Sequence, residues 1–70
     1  MMTSKEIIGA MIKDKRLKKI ITQQQFADLL NVDRQYIWKL ENGKVNLTMD
    51  YLDKIVMELG CLHSDFLVLI

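Results

Sequence analysis

Apolar residues recur along this chain at helical spacing. They fall at positions 8, 11 and 12, at 26, 27, 29 and 30, at 37 and 40, and at 52, 55, 56 and 59. Gaps of three and four place each group on one face of a helix, and no β-branched alternation suggests a strand. Each group is preceded by a residue able to cap a helix. Thr3 with Glu6 and Thr22 with Gln25 have capping-box spacing, with Met2 and Ile7, and Ile21 and Phe26, as flanking apolar staples. Asp33 caps a third helix, with Val32 and Ile37 as its staple. Thr48 caps a fourth, with Leu47 and Leu52, and Ser64 or Asp65 opens a short fifth. The pattern predicts an all-α, compact five-helix domain over residues 1–70, with helices at about 4–19, 23–30, 34–42, 48–59 and 64–69. Gly43 and Gly60 stand where the third and fourth helices should stop.

Seventy residues allow one small domain whose stability depends on close helix packing or on association with a second copy. A single cysteine rules out an internal disulfide. No Cys/His cluster has metal-ligand spacing, so the expectation is no metal and no cofactor. One His, one Cys and scattered carboxylates form no catalytic constellation, which argues against an enzyme. No apolar run has the length of a membrane span or the form of an export signal, and a free thiol suits a reducing cytoplasm.

The formal net charge is only +1, but the charges are segregated. Residues 1–21 carry Lys5, Lys13, Lys15, Arg16, Lys18 and Lys19 against Glu6 and Asp14. Residues 47–70 carry Lys54 against Asp50, Asp53, Glu58 and Asp65. Such a dipolar chain can turn its basic end toward phosphates; the plainer alternative is a set of solvated helix faces.

The densest information lies between Thr22 and Gly43. Two short helices are separated by Asn31-Val32-Asp33. Ala27 supplies the small side chain that a steep helix crossing needs, and Asn31 tolerates the positive φ expected at the turn. Val32 and Ile37 point back under the second helix. The other face of the third helix presents Arg34, Gln35, Trp38 and Lys39. Arg pairs bidentately with guanine and Gln with adenine, so this face suits base reading in a major groove. A generic pair of helices with a polar surface is the weaker alternative.

Thr22-Gln23, Phe26-Ala27, Val32, Ile37, Leu40-Glu41-Asn42-Gly43-Lys44, Asn46-Leu47-Thr48, Leu52, Ile55 and Leu59 resemble the lambda-repressor/Cro-like (XRE-type) helix-turn-helix family of bacterial and phage regulators. The resemblance covers about residues 8–67. It implies that Gln23, Asn42 and Lys44 contact DNA phosphates and that Arg34, Gln35 and Lys39 read bases. It also implies that Arg16 and Glu41 form a partly buried ion pair tying helix 1 to the end of the recognition helix, rather than standing as independent surface charges. Three residues depart from the family pattern. Lys15 stands where Leu or Ile is usual, Ile20 where Gly ends helix 1, and Trp38 where the outer face is small or polar. Trp38 meets a thymine methyl, a sugar edge or a protein, or else folds over a neighbouring helix as extra core.

The segment Phe66-Leu67-Val68-Leu69-Ile70 is apolar on every side. Residues 60–70 are therefore expected to form a dimerisation segment, with Leu62, Phe66, Leu67, Leu69 and Ile70 at the interface. The reading is a cytoplasmic, bacterial or phage-encoded transcriptional regulator. It would bind a palindromic operator in double-stranded DNA as a homodimer, as a phage-like repressor, a restriction-modification controller or an antitoxin-type autoregulator with a toxin or another protein as further partner. The alternative is a protein-interaction module that keeps the fold without specific DNA readout.

Overall fold

The computed structural model describes residues 1–67. Five helices follow in order: α1 (Ser4–Lys18), α2 (Gln23–Leu30), α3 (Arg34–Glu41), α4 (Met49–Leu59) and α5 (Ser64–Leu67). Every expected helix is present, and the first four have boundaries within one residue of the sequence expectation. The starts are fixed by side-chain caps. Thr3 and Thr22 form full capping boxes with Glu6 and Gln25, Asp33 accepts the Tyr36 N–H at 2.7 Å, and Thr48 accepts the Tyr51 N–H at 3.1 Å.

The stops share one design. A residue with positive φ follows each of α1 to α4, namely Ile20, Asn31, Gly43 and Gly60. The next backbone N–H then donates five residues back: Ile21 to Arg16, Val32 to Ala27, Lys44 to Lys39 and Cys61 to Val56. This closes orphan carbonyls at the helix end. Asn and Gly take the left-handed region readily. Ile20 does not, and its side chain stands 90% exposed, so its backbone is strained with no packing of its own in return.

The core is a single cluster. Ile12 of α1, Phe26, Ala27 and Leu30 of α2, Ile37 and Leu40 of α3, and Leu52, Ile55, Val56 and Leu59 of α4 enclose it. Two expectations are corrected. Leu29 was assigned to the buried face of α2 but is 47% exposed, because the buried stripe runs through positions 26, 27 and 30. Phe66 was assigned to a dimer interface but is 3% exposed within the single chain, where α5 folds back and closes the core. It has no surface left to offer a partner. Lys15 explains part of that closure. Where the family places a bulky apolar residue, Lys15 Nζ lies 3.2 Å from Asp65 on α5. Among the described residues, no helix is long and apolar enough to cross a membrane.

Candidate nucleic-acid interface

Asn31 makes the tight turn between α2 and α3, and Ala27, fully buried, sits at the contact between the two helices. With Ile37, Leu40 and Glu41 turned inward, Arg34, Gln35, Trp38 and Lys39 are all exposed on the opposite face. Trp38 is 46% exposed, so it is not extra core; its indole is presented outward beside Arg34, Gln35 and Lys39. Eight residues make α3 about 12 Å long, a length that fits within a major groove.

α3 is held from behind by a buried polar network. Arg16 donates from Nε to Glu41 Oε2 at 2.6 Å and from Nη2 to Oε1 at 3.1 Å. Its Nη1 donates to the Ile21 carbonyl at 2.8 Å, so one guanidinium ties α1, the α1–α2 turn and α3 together. Both side chains are almost wholly buried. Neither charge could remain there alone, since an unpaired buried ion costs several kcal/mol. Gln23, half-buried at the first turn of α2, donates from Nε2 to the same Glu41 Oε1 at 3.1 Å. Glu41 therefore accepts three hydrogen bonds. It fixes both the end of α3 and the carboxamide at the start of α2, and one Gln23 amide hydrogen still points elsewhere. Only the Arg16–Glu41 part of this network was expected from the sequence; the Gln23 link was not.

Two glycines allow α1 to approach α3 this closely. A Cβ on Gly9 would lie 2.5 Å from the Leu40 carbonyl oxygen and 2.8 Å from that of Glu41. A Cβ on Gly43 would lie 2.6–2.7 Å from Glu6 at the first turn of α1. Beside that contact, Asn42 caps α3 by donating from Nδ2 to the Trp38 carbonyl at 2.8 Å, and Lys44 is exposed on the loop that follows. Lys44 is close enough to help hold the Glu6 carboxyl below the usual carboxylate range, although hydrogen bonds from the backbone and side chain of Thr3 are the larger causes. Asn42, Lys44 and, through its bond to Glu41, Gln23 thus gather at the C-terminal end of α3, where phosphate contacts would lie if α3 entered a groove.

Of the residues expected at a dimer interface, Leu62 is 67% exposed and Phe66 is core. The Leu67 side chain, Leu69 and Ile70 lie outside the described residues. Cys61 is partly buried, with its thiol pushed up chiefly by that burial. His63 pairs with Asp53 at 2.9 Å on the surface.

A capped helix pair joined at a left-handed asparagine, with its polar second helix held outward by a buried ion pair, defines the helix-turn-helix class of DNA-binding regulators. The chain belongs to the helix-turn-helix family of the XRE type, whose model matches residues 12–67. It is 36% identical over 50 residues to the ImmF control region 10 kDa protein of Bacillus phage phi105, a match spanning 71% of this chain and only 56% of the phage protein. It is 36% identical over 58 residues to control protein C.MunI of a Mycoplasma species, covering 81% of this chain and 78% of that protein. Among solved structures, the restriction-modification controller protein C.Esp1396I, a tetramer in complex with its natural 35 base-pair operator, superposes with a TM-score of 0.80 at 31% identity, covering 97% of this chain and 90% of that one.

Proposed function

We propose that this chain is a transcriptional control protein that binds a palindromic operator as a homodimer, with α3 of each subunit in successive major grooves. The observation that carries the reading is the outward face of Arg34, Gln35, Trp38 and Lys39, backed by the Arg16–Glu41–Gln23 network. Arg34, Gln35 and Lys39 read base edges, and Trp38 packs on a thymine methyl or sugar edge. Gln23 gives its remaining amide hydrogen to a phosphate, and Asn42 and Lys44 contact the backbone at the same C-terminal end of α3. The relatives named above are a protein of a phage ImmF control region, a control protein and a restriction-modification controller protein, names that match the phage-like and restriction-modification subtypes. They support those two subtypes over an antitoxin.

Fluorescence anisotropy on genomic fragments across a salt series tests this. The expected result is one specific class of fragment and binding that weakens as salt rises. Arg34→Ala and Gln35→Ala should each cost about 1–3 kcal/mol at the cognate site and relax base preference, whereas Lys44→Ala should weaken all sequences alike. Equally weak binding to every fragment would instead favour a protein-interaction module, with the exposed Trp38 as its contact. The dimer is tested separately by sedimentation. Leu62→Glu, chosen because Leu62 is exposed while Phe66 supports the fold, should give folded monomers. A parent that is monomeric at micromolar concentration refutes the pairing.

A further inference from the structure

α1 meets the end of α3 at two points, and Lys5 stands between them. A Cβ on Gly43 would lie 2.6–2.7 Å from the Cγ, Cα and N of Glu6, and a Cβ on Gly9 would lie 2.5 Å from the Leu40 carbonyl oxygen. Counting 100° per residue, Lys5 projects from the face of α1 that carries Gly9, Ile12 and Arg16, the face turned toward α3. It comes one turn before Gly9, so it emerges beyond the last turn of α3, against the loop that follows. There it lines a cleft of about 480 Å³ with Thr3, Glu6, Asn42, Gly43 and Lys44. Lys5, Asn42 and Lys44 are all exposed. The carboxylate of the cleft is already engaged: Glu6 Oε1 accepts the Thr3 N–H at 3.0 Å, and the Lys44 charge helps to lower the Glu6 pKa. Lys15, Arg16 and Lys18 of the same helix each face a carboxylate, whereas Lys5 forms no ion pair among the described residues.

We propose that this cleft is a seat for a DNA backbone phosphate and that Lys5 is its principal cation, so that the first turn of α1 grips the duplex together with the helix-turn-helix. This rests on the reading of α3 as the recognition helix. Asn42 and Lys44 follow the end of α3, where the strand bordering the groove would run, and Lys5 reaches the same point from a different helix. One Asn42 amide hydrogen is taken by the Trp38 carbonyl, which leaves the other for the phosphate. Glu6 offsets part of the Lys44 charge, while the Lys5 ammonium has no paired carboxylate, which makes it the stronger anchor. Gly43 fixes the width of the seat, because any side chain there would push the loop away from Glu6. A phosphate contact carries no base information, and a cationic one releases a counterion. Lys5 therefore sets affinity and salt dependence and leaves sequence choice to Arg34 and Gln35.

Lys5→Met keeps most of the apolar stem and removes the charge. At low salt it should bind roughly tenfold more weakly than the parent, by the same factor on the best-binding genomic fragment and on a scrambled duplex. Between about 50 and 200 mM salt that deficit should shrink by about threefold, the mark of one counterion fewer released. Lys5→Arg keeps the charge and should restore binding. Lys18→Met removes the same charge from the flank of α1 that faces Asp14 and Asp65, and it should bind as the parent does. The Lys5→Met melting temperature should be unchanged, whereas a lysine serving only as countercharge to the negative end of α3 would show its loss there. The salt slope decides even if the variant melts lower, because instability alone does not alter the number of counterions released. Lys5→Met binding equal to the parent overturns the proposal. So does a loss with an unchanged salt slope, a loss confined to the preferred fragment, or a loss matched by Lys18→Met. A parent that binds a specific fragment while Lys5→Met loses nothing leaves the recognition-helix reading standing and removes only this seat; a parent that binds no duplex overturns both.

Discussion

Removing the Glu41 carboxylate is the most demanding test of how this domain holds its recognition helix. Glu41→Ala leaves the Arg16 guanidinium almost fully buried with only the Ile21 carbonyl as partner, and it strips Gln23 of its acceptor. Breaking a buried pair from one side costs about 3–5 kcal/mol. Small domains have total stabilities near the low end of about 5–15 kcal/mol, so most of the margin should disappear. For a chain of this size each kcal/mol moves the melting temperature by about 4–8 °C, which predicts a fall of at least about 12 °C. Replacing both partners with apolar residues of similar volume, Arg16→Met with Glu41→Leu, removes the orphan charge and should restore stability to within about 1 kcal/mol of the parent or above it. The double variant should still bind DNA less well, because Gln23 has lost the group that aims it. Circular dichroism melts of the three proteins, with anisotropy on the double variant, provide the readout. A Glu41→Ala loss below about 1 kcal/mol, or a double variant no more stable than the single one, refutes the account of Glu41 as a buried, fully engaged acceptor.

Three further outcomes are expected from thermal melts. Ile20→Gly should raise stability by about 0.5–1 kcal/mol, since roughly 1–2 kcal/mol of left-handed strain is relieved and glycine's looser unfolded state returns part of it; a lower melting temperature would show that Ile20 is not strained. Gly9→Ala should melt lower by about 1–3 kcal/mol despite alanine's higher helix propensity, because the new methyl meets the Leu40 and Glu41 carbonyls; a higher melting temperature would remove the close-approach argument. The third concerns acid. The backbone N–H and side chain of Thr3 lower the Glu6 pKa, and the Leu62 N–H followed by Lys15 lowers that of Asp65. Carboxyls with lowered folded pKa values contribute stability above the unfolded carboxylate value, about 4, and lose it as the pH falls through the folded values. The melting temperature should therefore decline below about pH 4, and less steeply in Glu6→Gln.

The fold was legible because its boundaries are written in single residues. Thr3, Thr22, Asp33 and Thr48 each cap the helix they precede, and Asn31, Gly43 and Gly60 occupy left-handed positions that few other residues accept. Ile20 is the exception. Its sequence gives no sign of a left-handed residue, and only the resemblance marked the position as one where Gly is usual. Burial was less legible than boundaries. Leu29 and Leu30 are identical in hydropathy, yet one faces water and the other the core; eight residues of α2 allow more than one apolar stripe, and packing against α3 and α4 selects among them. Phe66 was misplaced for a related reason. Counting apolar residues after position 60 suggests a patch too large for one chain, but Phe66 packs into the core of its own chain beside the Lys15–Asp65 pair, a contact across 50 positions that has no local sequence signature.

The candidate site divides along the same line. Arg34, Gln35, Trp38 and Lys39 could be placed on the outer face because helical periodicity alone assigns them there. Residues that act through another residue could not. The bond from Gln23 to Glu41 spans 18 positions and three helices meet around it. Such links depend on the angles at which helices cross, and those are set by Ala27, Gly9 and Gly43, which carry no functional chemistry themselves. In this domain the groups that would meet DNA are specified locally, and the groups that aim them are specified by close packing. Substitutions at Arg34 or Gln35 should therefore change which sequence is bound, whereas substitutions at Gly9, Gly43 or Glu41 should change whether any sequence is bound.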